Sequence, residues 1–169
     1  CSCDRCTYAR SSAIILYDFC KALHIPVTVY GHSTSGSSVE LYSYAEFESI
    51  DNDDKYRLMD IAARGSNRDG AALRFVAEQL VKRPEEVKIL ILVSDGQPAA
   101  PGYYGSAAEE DLRGIKQEYR RKGVLFIAAA IGEDKQNIER IYGDSFMDIT
   151  DLNQLPVKLT AAVKRHMRV

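Results

Sequence analysis

Two uninterrupted apolar runs constrain this chain more than any other feature: Ile89-Leu90-Ile91-Leu92-Val93 and Val124-Leu125-Phe126-Ile127-Ala128-Ala129-Ala130-Ile131. A strand with one face in water alternates apolar and polar residues. An unbroken run fits a strand covered on both faces, the usual state of a strand in a parallel sheet. Between the runs, residues 107–122 place Leu112, Ile115 and Tyr119 on one helical face. Strand, helix and strand in that order make the crossover unit that joins parallel neighbours, so the centre of the chain predicts an α/β fold. Both runs are far shorter than the ~20 residues that a membrane-spanning helix needs.

The flanking segments extend the alternation. Residues 8–23 carry Ala9, Ala13, Leu16, Cys20 and Leu23 at spacings of four and three, predicting a helix with that face inward; His24 ends it before Pro26. Residues 27–30 read as a short strand, Gly31 to Gly36 as a polar loop, and Val39, Leu41 and Tyr44 as a more exposed edge strand. A short helix is expected over residues 56–63, and a longer one from Asp69 to before Pro84 with Leu73, Val76 and Leu80 inward. Residues 135–142 form a short helix, 146–149 a last strand, and 152–167 a closing helix with Leu155, Leu159 and Ala162 inward. The whole predicts a doubly wound, mainly parallel sheet with helices on both faces. Residues 27–30, 89–93 and 124–130 are its parallel members.

Composition removes several function classes. With 169 residues, 46% of them hydrophobic, the chain fits one globular domain, assigned to residues 7–169. A formal net charge of -2, with both signs interspersed, gives no footprint for nucleic acid or an anionic membrane. No basic-then-apolar leader opens the chain, and the domain is expected in the cytoplasm. Residues 1–6 read as a frayed, cysteine-containing terminus. Their Cys1, Cys3 and Cys6 form a C-x-C-x-x-C run that could hold zinc with an outside ligand, or simply carry reduced thiols.

Ligands of doubly wound sheets bind beyond the carboxyl ends of the strands. That rule selects the loop at Gly31, the loop at Asp95 and the loop at Gly132, with Asp69 brought in by its own turn. Asp95-Gly96 directly follows a buried strand and is either a fixed ligand or an ordinary Asp-Gly turn. Asp69 opens a helix, where an acid is commonly an N-cap. Together Asp69 and Asp95 could hold a hard cation through its waters, as Mg²⁺ prefers. Tyr103 and Tyr104 tip a mobile loop just past Asp95 and offer contact area with hydroxyls, and His32, Ser33 and Gly96 join them as candidate partner-binding loop residues. No phosphate-cradling glycine motif is present. A rival reading is a small serine hydrolase, because Gly31-His32-Ser33 follows a strand and Ser33, Asp95 and His166 fall in the hydrolase order. Against it, Ser35 stands where the elbow needs Gly, the following residues alternate like a strand, and His166 lies beside Lys164 and Arg165 at the end of a helix.

Three stretches carry a family resemblance: Ser66-Asn67-Arg68-Asp69-Gly70-Ala71-Ala72-Leu73, Arg83-Pro84-Glu85-Glu86, and Ile89 through Ser94-Asp95-Gly96-Gln97-Pro98. In order and spacing they resemble the von Willebrand factor A-type (vWA) domains of nitric-oxide-reductase activation proteins and of the cobalt-chelatase subunit of cobalamin synthesis. Gly132 and Asp148-Ile149-Thr150-Asp151 agree, and the resemblance runs from about Thr7 to the C-terminus. It implies a Rossmann-like vWA fold and a metal-ion-dependent adhesion site (MIDAS) that presents Mg²⁺ to a partner's acidic side chain, with Asp69 as the second-loop ligand and Asp95 as the third-loop acid. It also implies a non-catalytic binding domain that works with an AAA+ ATPase of the MoxR or chelatase type on a target enzyme. The family's first loop, D-x-S-x-S at the end of a central strand, is not reproduced by Ser2 and Asp4. The expectation is a chain cut just after that motif, lacking the first central strand and holding Mg²⁺ weakly.

Overall fold

The computed structural model describes residues 3–35, 38–48, 54–61, 68–94, 99–130 and 135–166. The chain divides into two compact units, Cys1–Ser66 and Asn67–Val169. Each has its own buried cluster.

The first unit opens with α1 (Cys3–Ala22), which takes in residues 3–6. Cys6 is buried, and partial burial pushes the Cys20 thiol up; both are free. The helix ends where the Ile25 N–H donates to the Cys20 carbonyl at 2.8 Å and His24 turns left-handed at φ 54. The inward face differs from the one expected. Leu23 lies beyond the helix at 56% exposed, while Ser12 and Tyr17 are buried. Ser12 tolerates burial because its hydroxyl donates to the Tyr8 carbonyl at 2.7 Å.

Strands β1 (Val29–Ser35) and β2 (Ser38–Ala45) then pair antiparallel, with Ser33 opposite Glu40 and His32 opposite Leu41. Two expectations fail here. Gly31 to Ser35 is strand, not loop, and the strand foreseen at 27–30 belongs to a two-stranded hairpin separate from the parallel sheet. The physical reason is proximity: only Gly36 and Ser37 separate β1 from β2, and closing so short a connection costs little chain entropy. Gly31 has a packing role, since a Cβ there would come 2.8 Å from the Tyr44 ring. Tyr44 packs with Tyr17, Ala45 and Leu58, the last carried on a 3-10 turn (Leu58–Asp60) that follows the short helix α2 (Asp54–Arg57).

The second unit holds the parallel sheet. In chain order it runs α3 (Asp69–Val81), β3 (Lys88–Val93), the short strands β4 (Ala99–Ala100) and β5 (Tyr103–Tyr104), α4 (Gly105–Arg121), β6 (Val124–Ala130), α5 (Lys135–Tyr142), β7 (Phe146–Asp148) and α6 (Leu155–His166). Strands β3, β6 and β7 lie side by side in that order, all parallel, with Ile89 opposite Leu125 and Ala128 opposite Phe146. Among the described residues, β3 has no strand on its other edge. Leu90, Leu92, Phe126 and Ala128 form one cluster with Leu73 of α3, Leu112, Ile115 and Tyr119 of α4, and Ile138 and Tyr142 of α5. Residues that alternate with them along β6, Ile127 and Ala129, are buried too, as an unbroken apolar run requires. The closing helix buries Leu155, Leu159 and Ala162, the face its spacing predicts. Fully burying a side chain such as Leu112 or Ile115 contributes roughly 1.5–3 kcal/mol, so this cluster dominates the unit's stability. Among the described residues no helix is long and apolar enough to cross a membrane.

Candidate cation site

Asp69 is the first residue of α3 and is buried, at 1% exposure. Burial of a carboxylate is costly unless polar or cationic groups compensate it. The position before it, Arg68, has non-helical φ -111 and ψ 76 and supplies no side-chain cap, so Asp69 sits inside the helix and is not the N-cap considered from sequence. One residue beyond β3, the Ser94 hydroxyl lies 3.4 Å from Asp69 Oδ2. The strand end and the helix start therefore present an acid and a hydroxyl to each other.

The segment expected as an aromatic-tipped loop is a β-hairpin: Ala99 pairs with Tyr104 and Ala100 with Tyr103. It is tied to the start of α3 by side chains. Arg68 Nη2 donates to the Pro101 carbonyl at 2.6 Å, and its guanidinium carbon lies 5.9 Å from the centre of the Tyr103 ring. The Tyr103 hydroxyl donates to Asp111 Oδ2 at 2.8 Å and lies against Gly70, where a Cβ would stand 2.5 Å from it. Burial first, then Asp111, raises its pKa far above the ordinary tyrosine value, so it stays protonated. Tyr104 points outward at 70% exposure.

Tyr142 completes the surroundings. It is 1% exposed, its ring stacks on Phe126 with centroids 5.4 Å apart, and its hydroxyl has no hydrogen-bond partner among the described residues. Burial, followed by the charge of Asp69 and by Tyr103, pushes its pKa up.

Of the residues singled out in the sequence, Asp69, Tyr103 and Tyr104 belong to this unit and take the positions just described. Asp95, Gly96 and Gly132 lie outside the described residues. His32 and Ser33 are on β1, with Ser33 buried, so neither is a loop residue. The hydrolase elbow requires a strand that turns into a helix, whereas β1 turns into β2; Ser33 stands in a hairpin ladder and His166 at the end of α6. Sequence reasoning missed Ser94, Asp111 and Tyr142. Ser94 carried a signal, as a hydroxyl at the carboxyl end of a buried strand.

Residues 54–167 match the family described as the cobalamin biosynthesis protein CobT VWA domain. The chain belongs to this family. A CobT-type vWA domain accounts for the parallel sheet flanked by helices. Similar proteins include YojO of Bacillus subtilis (strain 168), an uncharacterised protein that is 24% identical over 96% of this chain. The protein NorD of Brucella suis biovar 1 is 34% identical over 56% of it. The chain spans 27% of YojO and 15% of NorD, so it corresponds to a minor part of each. Among solved structures, proximal thread matrix protein 1 from the mussel byssus covers 95% of this chain with a TM-score of 0.61 at 20% identity, and this chain covers 42% of it. That protein has also been solved with a zinc-occupied MIDAS motif.

The donors present fit a hard cation. Asp69 and Ser94 offer oxygen, which suits Mg²⁺ far better than a nitrogen and sulfur set would. The buried Tyr142 hydroxyl, which feels the Asp69 charge, has no hydrogen-bond partner among the described residues. Among the described residues no three His, Cys, Asp or Glu side chains converge.

Proposed function

We propose that this vWA domain is a MIDAS-type, metal-dependent protein-binding module, with Asp69 and Asp95 sharing one hydrated Mg²⁺. It binds and does not catalyse. In the cytoplasm it works beside an AAA+ ATPase of the MoxR or chelatase type, to activate a target enzyme or to insert metal into one, as in nitric oxide reductase activation or cobalt chelation. The observation that carries this reading is the buried Asp69 carboxylate facing the Ser94 hydroxyl where β3 meets α3. Membership of the CobT family and similarity to NorD support the choice of process, and the metal-bearing motif of the mussel protein supports a cation in this fold.

Bound Mg²⁺ would supply a positive charge with an exchangeable position for a partner's carboxylate. Asp69 offsets that charge from a buried position, where electrostatic interactions are screened less than at the surface. Ser94 orients the carboxylate, and the exposed Tyr104 offers contact area to the partner. The test is calorimetric titration of Mg²⁺ into the full-length protein and its Asp69→Ala and Asp95→Ala variants, with a pull-down of the cognate ATPase from each. Both variants are expected to lose ion and partner binding together. Equal binding by all three proteins would defeat the reading.

A further inference from the structure

Helix α6 carries apolar residues on two sides. Leu155, Leu159 and Ala162 face inward and are buried. On another side Pro156, Val157, Thr160, Ala161 and Lys164, at helical spacing, line a groove of about 400 Å³. Val157 is 64% exposed there, although a valine gains by leaving water.

The charge beside the groove is equally one-sided. From Leu152 to Val169 the chain carries four Lys and Arg residues and no Asp or Glu, although its formal net charge is -2. The remainder of the chain is therefore more acidic than the whole. Lys158 is committed to the Asp148 carbonyl at 2.6 Å. Lys164 and Arg165, in the last turn of α6, have no carboxylate partner among the described residues. Elsewhere in this unit cations are paired: Arg113 and Arg140 share Glu109, and Lys116 and Arg120 share Asp144. A helix C-terminus favours cations, which accounts for their position but not for the apolar groove that opens beside them.

We propose that this face of α6 is a docking site for an acidic, amphipathic segment of a partner protein, with an apolar side chain seated on Val157 and carboxylates reaching Lys164 and Arg165. Charge complementarity selects the occupant: an acidic segment is attracted here and repelled by the more acidic remainder of the chain. A lipid surface is disfavoured, because interfacial helices bury a broad apolar face and Val157 is the one large hydrophobic residue exposed on α6. The site uses no metal and goes beyond the cation-binding reading.

The test is fluorescence anisotropy of a labelled synthetic peptide titrated with the full-length protein, in Mg²⁺ and in EDTA. The peptide, of about 15 residues so that it can form a helix, carries leucines along one face and glutamates on the others. Binding is expected in both buffers. Val157→Asp and the double variant Lys164→Glu, Arg165→Glu are each expected to weaken it by roughly tenfold or more, with no change in melting temperature because all three side chains are exposed. A second peptide, with lysines in place of the glutamates, is expected to bind the double variant and not the wild type. Asp69→Ala is expected to bind the acidic peptide like wild type, so that loss of the cation site and loss of this one are told apart. Failure of the acidic peptide to bind, unchanged binding by the double variant, or binding that requires Mg²⁺ would overturn the proposal. So would capture of the protein by phosphatidylserine vesicles in preference to the peptide.

Discussion

Strands β1 and β6 are both seven residues long, but different forces hold them. The latter has a parallel partner on each side, and six of its seven residues are buried. Its strand partners are reached only through intervening helices, β3 lying before α4 and β7 after α5. By contrast β1 has one partner, the strand that follows it, and only Ser33 and Thr34 are buried. Its ladder is made by local register, with side chains that would serve equally well in a loop. The contrast teaches that apolar burial specifies the second unit, whereas short-range pairing specifies the hairpin of the first.

The largest expected effect is in β6. Phe126→Ala removes a ring packed against Tyr142 and should cost about 3–5 kcal/mol in urea denaturation, whereas Tyr30→Ala in β1 should cost about 1 kcal/mol or less. Comparable costs would break the distinction between the two strands. Smaller and opposite in sign is Tyr142→Phe. Removing a buried hydroxyl without a partner should stabilise the ion-free protein by on the order of 1 kcal/mol, seen as a higher melting temperature. A loss of stability would mean that the hydroxyl is already satisfied.

The smallest effect concerns acid. Lys116 at 2.8 Å and Arg120 at 2.9 Å lower the Asp144 pKa from 3.8 to about 2. For Asp148 burial pushes up, but Lys135 and the Thr150 N–H and hydroxyl prevail and bring it to about 2. A carboxyl with a depressed folded pKa contributes stability above its unfolded pKa and loses it as pH falls toward the folded one. The second unit should therefore lose stability as pH falls from about 4 to about 2. Replacing Asp144 with Asn should flatten that slope slightly, since the pair is exposed and screened by salt. An unchanged slope in denaturation midpoints across this range would show that the pairs are not formed in solution.

The same contrast explains what the sequence made legible. Burial on both faces leaves unbroken apolar runs, so β3 and β6 were readable, and amphipathic spacing marked Leu112, Ile115 and Tyr119 of α4 correctly. In α1 the buried positions include Ser12, whose polarity hid it, and Leu23 lost its expected burial because the helix ends before it. Nothing in Gly31-His32-Ser33-Thr34-Ser35 marks a strand except the neighbour it pairs with. At the site, Asp69 was legible as an acid opening a helix between two turn residues. Asp111 and Tyr142 were not, because they meet the site through tertiary packing that leaves no periodic trace: Asp111 looks like any helix-surface acid, and Tyr142 like an ordinary core aromatic.

The central claim is that a hydrated cation sits between the start of α3 and the end of β3. A crystal structure of the full-length protein grown with Mn²⁺, a stand-in for Mg²⁺ with an anomalous signal, tests it most directly. The account predicts an anomalous peak beside the Asp69 carboxylate and Ser94 hydroxyl, with direct ligand oxygens at about 2.1 Å or the same groups reached through bound water. A peak elsewhere, or none with Asp69 still buried against Ser94, would contradict it.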